Sequence, residues 1–299
     1  MLLLGSKHAI AEDKRLPIKL KIEGMLIDQE VFSLFVLPGE KVKFKSLEKT
    51  SFNPKVISSN LNIKAEVKGN WHFSAPDEPG LYQFEVVASV HDRASVINVF
   101  VLVPYERMKG GKLDGYRIDA YPKRPFKNYL SYKRPKGFVR VDEKNQNMLV
   151  SPHFSLKQFL CKQKSGYPKF VVLHTKTLLM LEDFLTYVND NGFNIETFGV
   201  ISGYRTPFYN RLIGNVPNSR HVYGDAMDLF IDRDGDGRLD DLDGNNKHDK
   251  ADVLVLYKLA VNFQKSSNGL YTGGVGKYWP KSHHGGFVHI DNRGYFARW

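Results

Sequence analysis

The sequence predicts an α+β fold in which a β-sandwich precedes a domain that mixes helices with a small antiparallel sheet. Short alternating apolar segments, punctuated by Gly and Pro, fill residues 15–105, whereas apolar positions at helical spacing gather after residue 150. At 299 residues the chain is long enough for two domains. Its 42% hydrophobic and 25% charged content is that of a globular protein.

In the first of these regions Ile18, Leu20 and Ile22 alternate with Lys19 and Lys21, and Pro38-Gly39 turns the chain before Val42 and Phe44. Trp71 and Phe73 alternate ahead of Pro76-Asp77-Glu78-Pro79-Gly80, and Tyr82, Phe84 and Val86 alternate after it. Val96 through Val103 forms a last apolar strand. The Ala-Pro-x-x-Pro-Gly-x-Tyr turn at 75–82 is similar to that of bacterial immunoglobulin-like modules, which implies an immunoglobulin-like sandwich with a structural or targeting role. Residues 106–150 then read as a basic connector. Gly110, Gly111 and Gly115 lead to Tyr121-Pro122-Lys123-Arg124-Pro125 and Lys133-Arg134-Pro135-Lys136-Gly137, a stretch of low helical potential that is either solvated or laid along an anionic glycan.

Residues 151–299 form the second domain. Ser155 is placed to cap a helical turn over Leu156–Leu160. A longer helix from 171 to 191 carries Leu178, Leu181, Leu185 and Val188 on one face and ends at Gly192. A strand follows at 198–201, and another helix spans 251–263.

The formal net charge of +11 favours polyanionic surroundings, among them the acidic polymers of a bacterial envelope. No compact run of basic residues interleaved with aromatics points to nucleic acid. Cys161 is the single cysteine, which excludes an intrachain disulfide and reads as a small buried hydrophobe. The apolar run after Met1 is too short for a signal peptide, and no stretch of about 20 apolar residues offers a transmembrane span. His8, His72, His91, His153, His174 and His248 stand without ligand spacing.

The chemistry concentrates in Ser-Arg-His-Val-Tyr-Gly-Asp-Ala-Met-Asp at 219–228 and Phe-Val-His-Ile-Asp at 287–291. Together they supply two imidazoles and a carboxylate, the ligand set of a catalytic zinc that keeps one position for water. One continuous helix would hold His221 and Asp228 about 10 Å apart along its axis. A turn at Gly224 followed by a strand is the better solution, because Ala226, Asp228 and Phe230 then share a face. In the later segment Phe287, His289 and Asp291 share a face as well. If the two strands pair, Asp228 and His289 stand roughly 5 Å apart, and His221 closes the triangle from the preceding loop.

At these residues the chain resembles the zinc D-Ala-D-Ala carboxypeptidase and murein endopeptidase superfamily. The shared pattern is Ser-x-His-x-x-Gly-x-Ala-x-Asp (Ser219, His221, Gly224, Ala226, Asp228), followed downstream by His289. Ile201-Ser202-Gly203-Tyr204-Arg205-Thr206-Pro207 looks like the family's Ser-Gly-Tyr-Arg segment, and Gly273-Gly274-Val275-Gly276 through to Trp299 is similar to the murein endopeptidase branch. The resemblance implies a zinc peptidase domain with His221, Asp228 and His289 as metal ligands, Arg205 as substrate anchor and Ser219 as a nearby polar contact. It implies bacterial peptidoglycan as the substrate, hence a periplasmic or envelope location. Many members carry an acidic general base three residues before the last histidine, where this chain has Gly286. Asp291, His283 and His284 are the remaining proton acceptors, with Asp291 equally suited to orienting His289. Loss of the acid also opens an alternative, a non-catalytic wall-binding protein that retains the zinc fold.

Between the two metal segments, residues 232–243 fit a calcium-loop template. Asp232, Asp234, Asp236, Asp240 and Asp243 fall at oxygen-ligand positions, Gly237 at the turn, and Arg238 where a backbone carbonyl binds. The expectation is a structural calcium ion that stiffens the chain after Asp228.

Overall fold

The computed structural model describes residues 15–47, 54–66, 69–87, 94–282 and 284–299. Expectations about the N-terminal segment, the Ile18 side chain, His8, His91 and His283 lie outside what is described. The fold is a mixed α+β arrangement of several small sheets and few helices. It divides into two compact units, residues 15–179 with Ser202–Met227, and Met180–Ile201 with Asp228–Trp299.

The first unit holds two sheets made from the alternating segments. One orders its strands Met25–Gln29, Arg15–Ile22, Lys41–Ser46, Asn70–Ser74 and Lys64–Ala65, all antiparallel. The other runs Val31–Val36, Ala94–Val101, Gly80–Val87 and Lys55–Ile57, with the first pair parallel. The period of two decides which side chains turn inward. Along Lys41–Ser46 the lysines at 41, 43 and 45 are exposed while Val42 and Phe44 are buried. Phe44 stacks on Phe84 at 4.9 Å between ring centroids, and Phe73 meets Phe84 edge-on at 5.8 Å, so aromatic rings join the two sheets.

The basic stretch expected as a connector is packed in the same unit. Leu113, Tyr116, Ile118, Tyr121, Tyr132 and Phe138 are all buried. Its Gly137–Val141 strand pairs with Val103–Pro104 on one side and Lys169–Val171 on the other. Aromatic residues spaced among the lysines explain the difference, since their apolar area is worth burying even in a Pro/Gly-punctuated segment. The same pairing shortens the predicted helix. Val171 lies opposite Val139 in a strand, and the helix begins only at Thr175, running to Asp190 ahead of Gly192.

A five-stranded sheet orders Gly199–Ser202, Ala226–Phe230, Phe287–Asp291, Gly274–Tyr278 and Ala297–Arg298. The helix Lys250–Ser266 packs on Gly274–Tyr278 and Phe287–Asp291. Its start is fixed by a reciprocal cap in which Asp249 accepts from Ala251 N and Asp252 accepts from Asp249 N. Phe184 stacks on Phe198 and touches Phe263, filling the same core. With cover of this kind, every residue of Ala226–Phe230 and Phe287–Asp291 is buried, so the polar face of each strand is interior as well. Among the described residues no helix is long and apolar enough to cross a membrane.

Candidate metal centre

Asp228 and His289 sit on adjacent strands, Ala226–Phe230 and Phe287–Asp291, of the five-stranded sheet that begins at Gly199–Ser202. His289 Nδ1 lies 2.9 Å from Asp228 Oδ1, and its Nε2 lies 2.9 Å from Asp291 Oδ2. The three side chains are almost fully buried. Burial disfavours a charged imidazole, but two carboxylates facing its two nitrogens outweigh that cost and raise the His289 pKa to about 9. The position therefore favours positive charge.

His221 reaches the centre from a short 3-10 turn, Arg220–Tyr223, that ends at Gly224. Gly224 has a φ of +74°, and a Cβ there would fall 2.3 Å from Val172 O, so only glycine closes this turn. The Gly203 carbonyl lies 2.7 Å from His221 Nδ1. Since a carbonyl only accepts, Nδ1 carries the proton and Nε2 is the lone-pair nitrogen. One ligand atom from each of His221, Asp228 and His289 lies within 4.8 Å of the other two. Two imidazoles and one carboxylate, buried together at a locus that favours positive charge, fit the donor set of a zinc ion.

The sequence segments around these residues interlock. Arg205 is buried, its Nε donating to Ser202 Oγ at 2.8 Å and its backbone N–H to the His221 carbonyl at 3.1 Å. Ser219 is buried at the N-terminal end of the His221 turn. Arg220 and Asp225 form a buried two-pronged ion pair across that turn, with the guanidinium over the Tyr132 ring at 4.2 Å. Sequence reasoning passed over this pair, because a five-residue spacing matches neither helix nor strand periodicity. Arg293, likewise passed over, follows Asp291 by two and binds it.

Asp291 is not placed to take a proton from solvent. Its Oδ1 accepts from the backbone of Gly274 (2.9 Å) and Arg293 (3.0 Å), and its Oδ2 accepts from Arg293 Nη2 at 2.5 Å. Burial alone would raise its pKa, yet His289 and Arg293 hold the carboxyl well below the usual range. Of the two roles open to Asp291 from sequence, these contacts suit orienting His289 better than accepting a proton. Gly286 has no space for the family's acid either, since a Cβ there would meet Val253 Cγ2 at 2.4 Å. His284 contributes none of the ligand atoms gathered at His221, Asp228 and His289. Its Nδ1 faces Gly285 O at 2.6 Å, and it lines a cavity of about 430 Å³ together with Arg238, His248, Asp249, Lys281 and Gly286.

The acidic segment does not form the expected twelve-residue loop. Asp232, Asp234 and Asp240 make one group, while Asp243 joins Asp241 and Asp252 in another, and Asp236 belongs to neither. The carboxylates are turned onto neighbouring N–H groups and an arginine. Asp232 accepts from Gly235 and Gly237, Asp236 from Arg238, and Asp240 from Arg233 Nε at 2.5 Å. The expectation of calcium finds no support in this arrangement, since local turn bonds and Arg233 already meet these charges.

Residues 152–291 match the family model described as Peptidase M15. No curated protein and no solved structure matches the chain.

Two outcomes follow from this geometry. Gly286→Ala should destabilise the protein by roughly 1–3 kcal/mol through overpacking, and Val253→Ala should relieve most of that loss in the double variant, as read by denaturant titration. With chelator present, His289 binds its proton more tightly folded than unfolded, so its contribution is complete below pH 6.5. That contribution, about 3 kcal/mol at most, should disappear as pH rises through about 9. The pH dependence of the unfolding midpoint, measured against His289→Gln, checks it.

Proposed function

The C-terminal part of the chain, residues 152–291, belongs to the Peptidase M15 family, and on that premise we propose that the protein is a zinc metallopeptidase that hydrolyses peptide bonds in bacterial peptidoglycan. The buried His221–Asp228–His289 group is the observation that carries this reading. We read the substrate as the stem peptides or cross-links of the wall, cut by a murein endopeptidase or a D,D- or L,D-carboxypeptidase action, and the location as the periplasm or envelope. The two N-terminal sheets are read as an immunoglobulin-like module that supports or targets the peptidase domain.

His221 would hold the metal through Nε2, His289 through Nδ1 and Asp228 through a carboxylate oxygen. When bound, zinc supplies a Lewis acid that polarises the scissile carbonyl and lowers the pKa of a water molecule. The chain's own residues do the rest. The Gly203 carbonyl fixes the tautomer of His221, and Asp291, clamped by Arg293, fixes the ring of His289. Arg205 is the anchor for a substrate carboxylate or peptide carbonyl, its fork oriented by the bond to Ser202. Ser219 lines the approach as a polar contact. We assign the proton transfer to His284, the one described proton acceptor from the sequence that neither packing nor an arginine clamp removes.

Digestion of purified sacculi, followed by mass spectrometry of the released muropeptides, tests the proposal. The zinc-loaded protein should release peptide fragments whose masses identify the bond cut, and chelator or His221→Ala should abolish release. Asp291→Asn should weaken zinc affinity roughly 10- to 100-fold, with activity recovered at higher zinc, while His284→Asn should lower kcat roughly 100-fold. Sacculi that are bound but never cut at any zinc concentration would sink the enzymatic reading in favour of a wall-binding protein.

A further inference from the structure

The +11 charge of the chain is not spread evenly. In the first unit, two grooves of about 440 and 660 Å³ are lined by residues on either side of one turn, Tyr105–Arg107, with Glu106 in the first and Arg107 in the second. The first groove is lined by Lys123, Lys133, Arg134 and Lys136 against Glu106. The second is lined by Arg107, Lys109, Lys112 and Arg140 against Glu78 and Asp114. Eight cations thus meet three carboxylates, an excess of five within two grooves of a chain whose whole excess is eleven. All eight cationic residues are exposed.

The turn itself holds the two halves in register. Arg134 lies over the Tyr105 ring at 4.5 Å and pairs with Glu106 at 3.1 Å, so the first groove's guanidinium is fixed against the dividing turn. Arg140 is fixed in the same way by Asp114 at 2.7 Å. Beyond the first groove, Phe126, Tyr129 and Leu130 are exposed on two short 3-10 turns that include left-handed backbone at Lys127 and Asn128. Like charges gathered this closely repel one another unless a counter-charge lies among them. A small anion would answer one groove. Two grooves flanking a single turn, with aromatic faces alongside, suit an extended chain that repeats its charge and offers flat sugar faces to the rings.

We propose that these grooves form a continuous track for an anionic wall polysaccharide, a sugar chain bearing repeated carboxylate or phosphodiester groups. The track holds the polymer by charge, and the rings at 126 and 129 add stacking. This rests on the peptidoglycan reading above only for the choice of polymer. From sequence this basic stretch is open to lying along an anionic glycan; the fold adds that its cations, from segments between residues 107 and 140, line two grooves.

The test is co-sedimentation of the full-length His221→Ala protein with purified sacculi, so that binding is read without turnover. Binding should weaken steeply with salt. Lys123→Glu/Lys133→Glu/Lys136→Glu and, separately, Lys109→Glu/Lys112→Glu should each reduce affinity at least tenfold, with unchanged circular dichroism. In the wild-type background the same substitutions should leave turnover of a short soluble stem peptide unaltered. Stripping phosphodiester polymers with hydrofluoric acid separates the sources: retained binding assigns the carboxylates of the peptidoglycan, lost binding assigns the phosphate-bearing polymer. Charge-reversed proteins that bind sacculi like wild type, or a 20-nucleotide single-stranded DNA that outcompetes them, would overturn the proposal. Charge-dependent binding without peptide turnover would remove the peptidase reading alone.

Discussion

A single imidazole held between two carboxylates organises the second unit. His289 faces Asp228 with one nitrogen and Asp291 with the other, in an interior where each group unpaired would be costly to bury. Only a positive charge at the ring or beside it settles that arrangement. The raised pKa of His289 expresses the demand as a proton, and with His221 at the same place the group could instead hold a metal ion. Asp291 is in turn bound by Arg293 and by the Gly274 backbone. The charges therefore alternate outward from the centre, and each is met by its neighbour.

That constraint explains why the surrounding backbone is so narrowly specified. Gly224 turns the chain so that His221 precedes the Asp228 strand without a helix between them, and the close approach of Val172 forbids any side chain there. The Gly203 carbonyl selects the tautomer of His221, while the backbone N–H of Arg205 returns to the carbonyl of the same histidine. The Gly203–Arg205 segment and the His221 turn are thus stitched by two hydrogen bonds. Gly286 is constrained in the opposite sense: tight packing against Val253 leaves no room for a side chain there.

The first unit follows a different logic. Its aromatic core is ordinary burial, but its lysines and arginines are sorted, so that grooves beside one turn collect much of the molecule's net charge. A basic segment read as a connector, solvated or laid along an anionic glycan, is packed because Tyr116, Tyr121, Tyr132 and Phe138 bury apolar area. The cations between those rings are exposed.

The gathering of His221, Asp228 and His289, and the strands that carry the last two, were legible in the residues alone. Alternation around Asp228 and His289 is local, and a period of two leaves only one face for each polar side chain. The helix stripe at Leu178, Leu181 and Leu185 was legible for the same reason, although its start was not, because Val171 was claimed by a strand distant in sequence. The role of Asp291, the exclusion of a side chain at 286 and the Arg220–Asp225 pair were decided by tertiary structure. So was the division of the acidic segment, where Asp243 parted from Asp232 to join Asp252. In each case the deciding partner lies across a fold that spacing does not encode. Sequence determines which side chains share a face; only packing determines what stands opposite them.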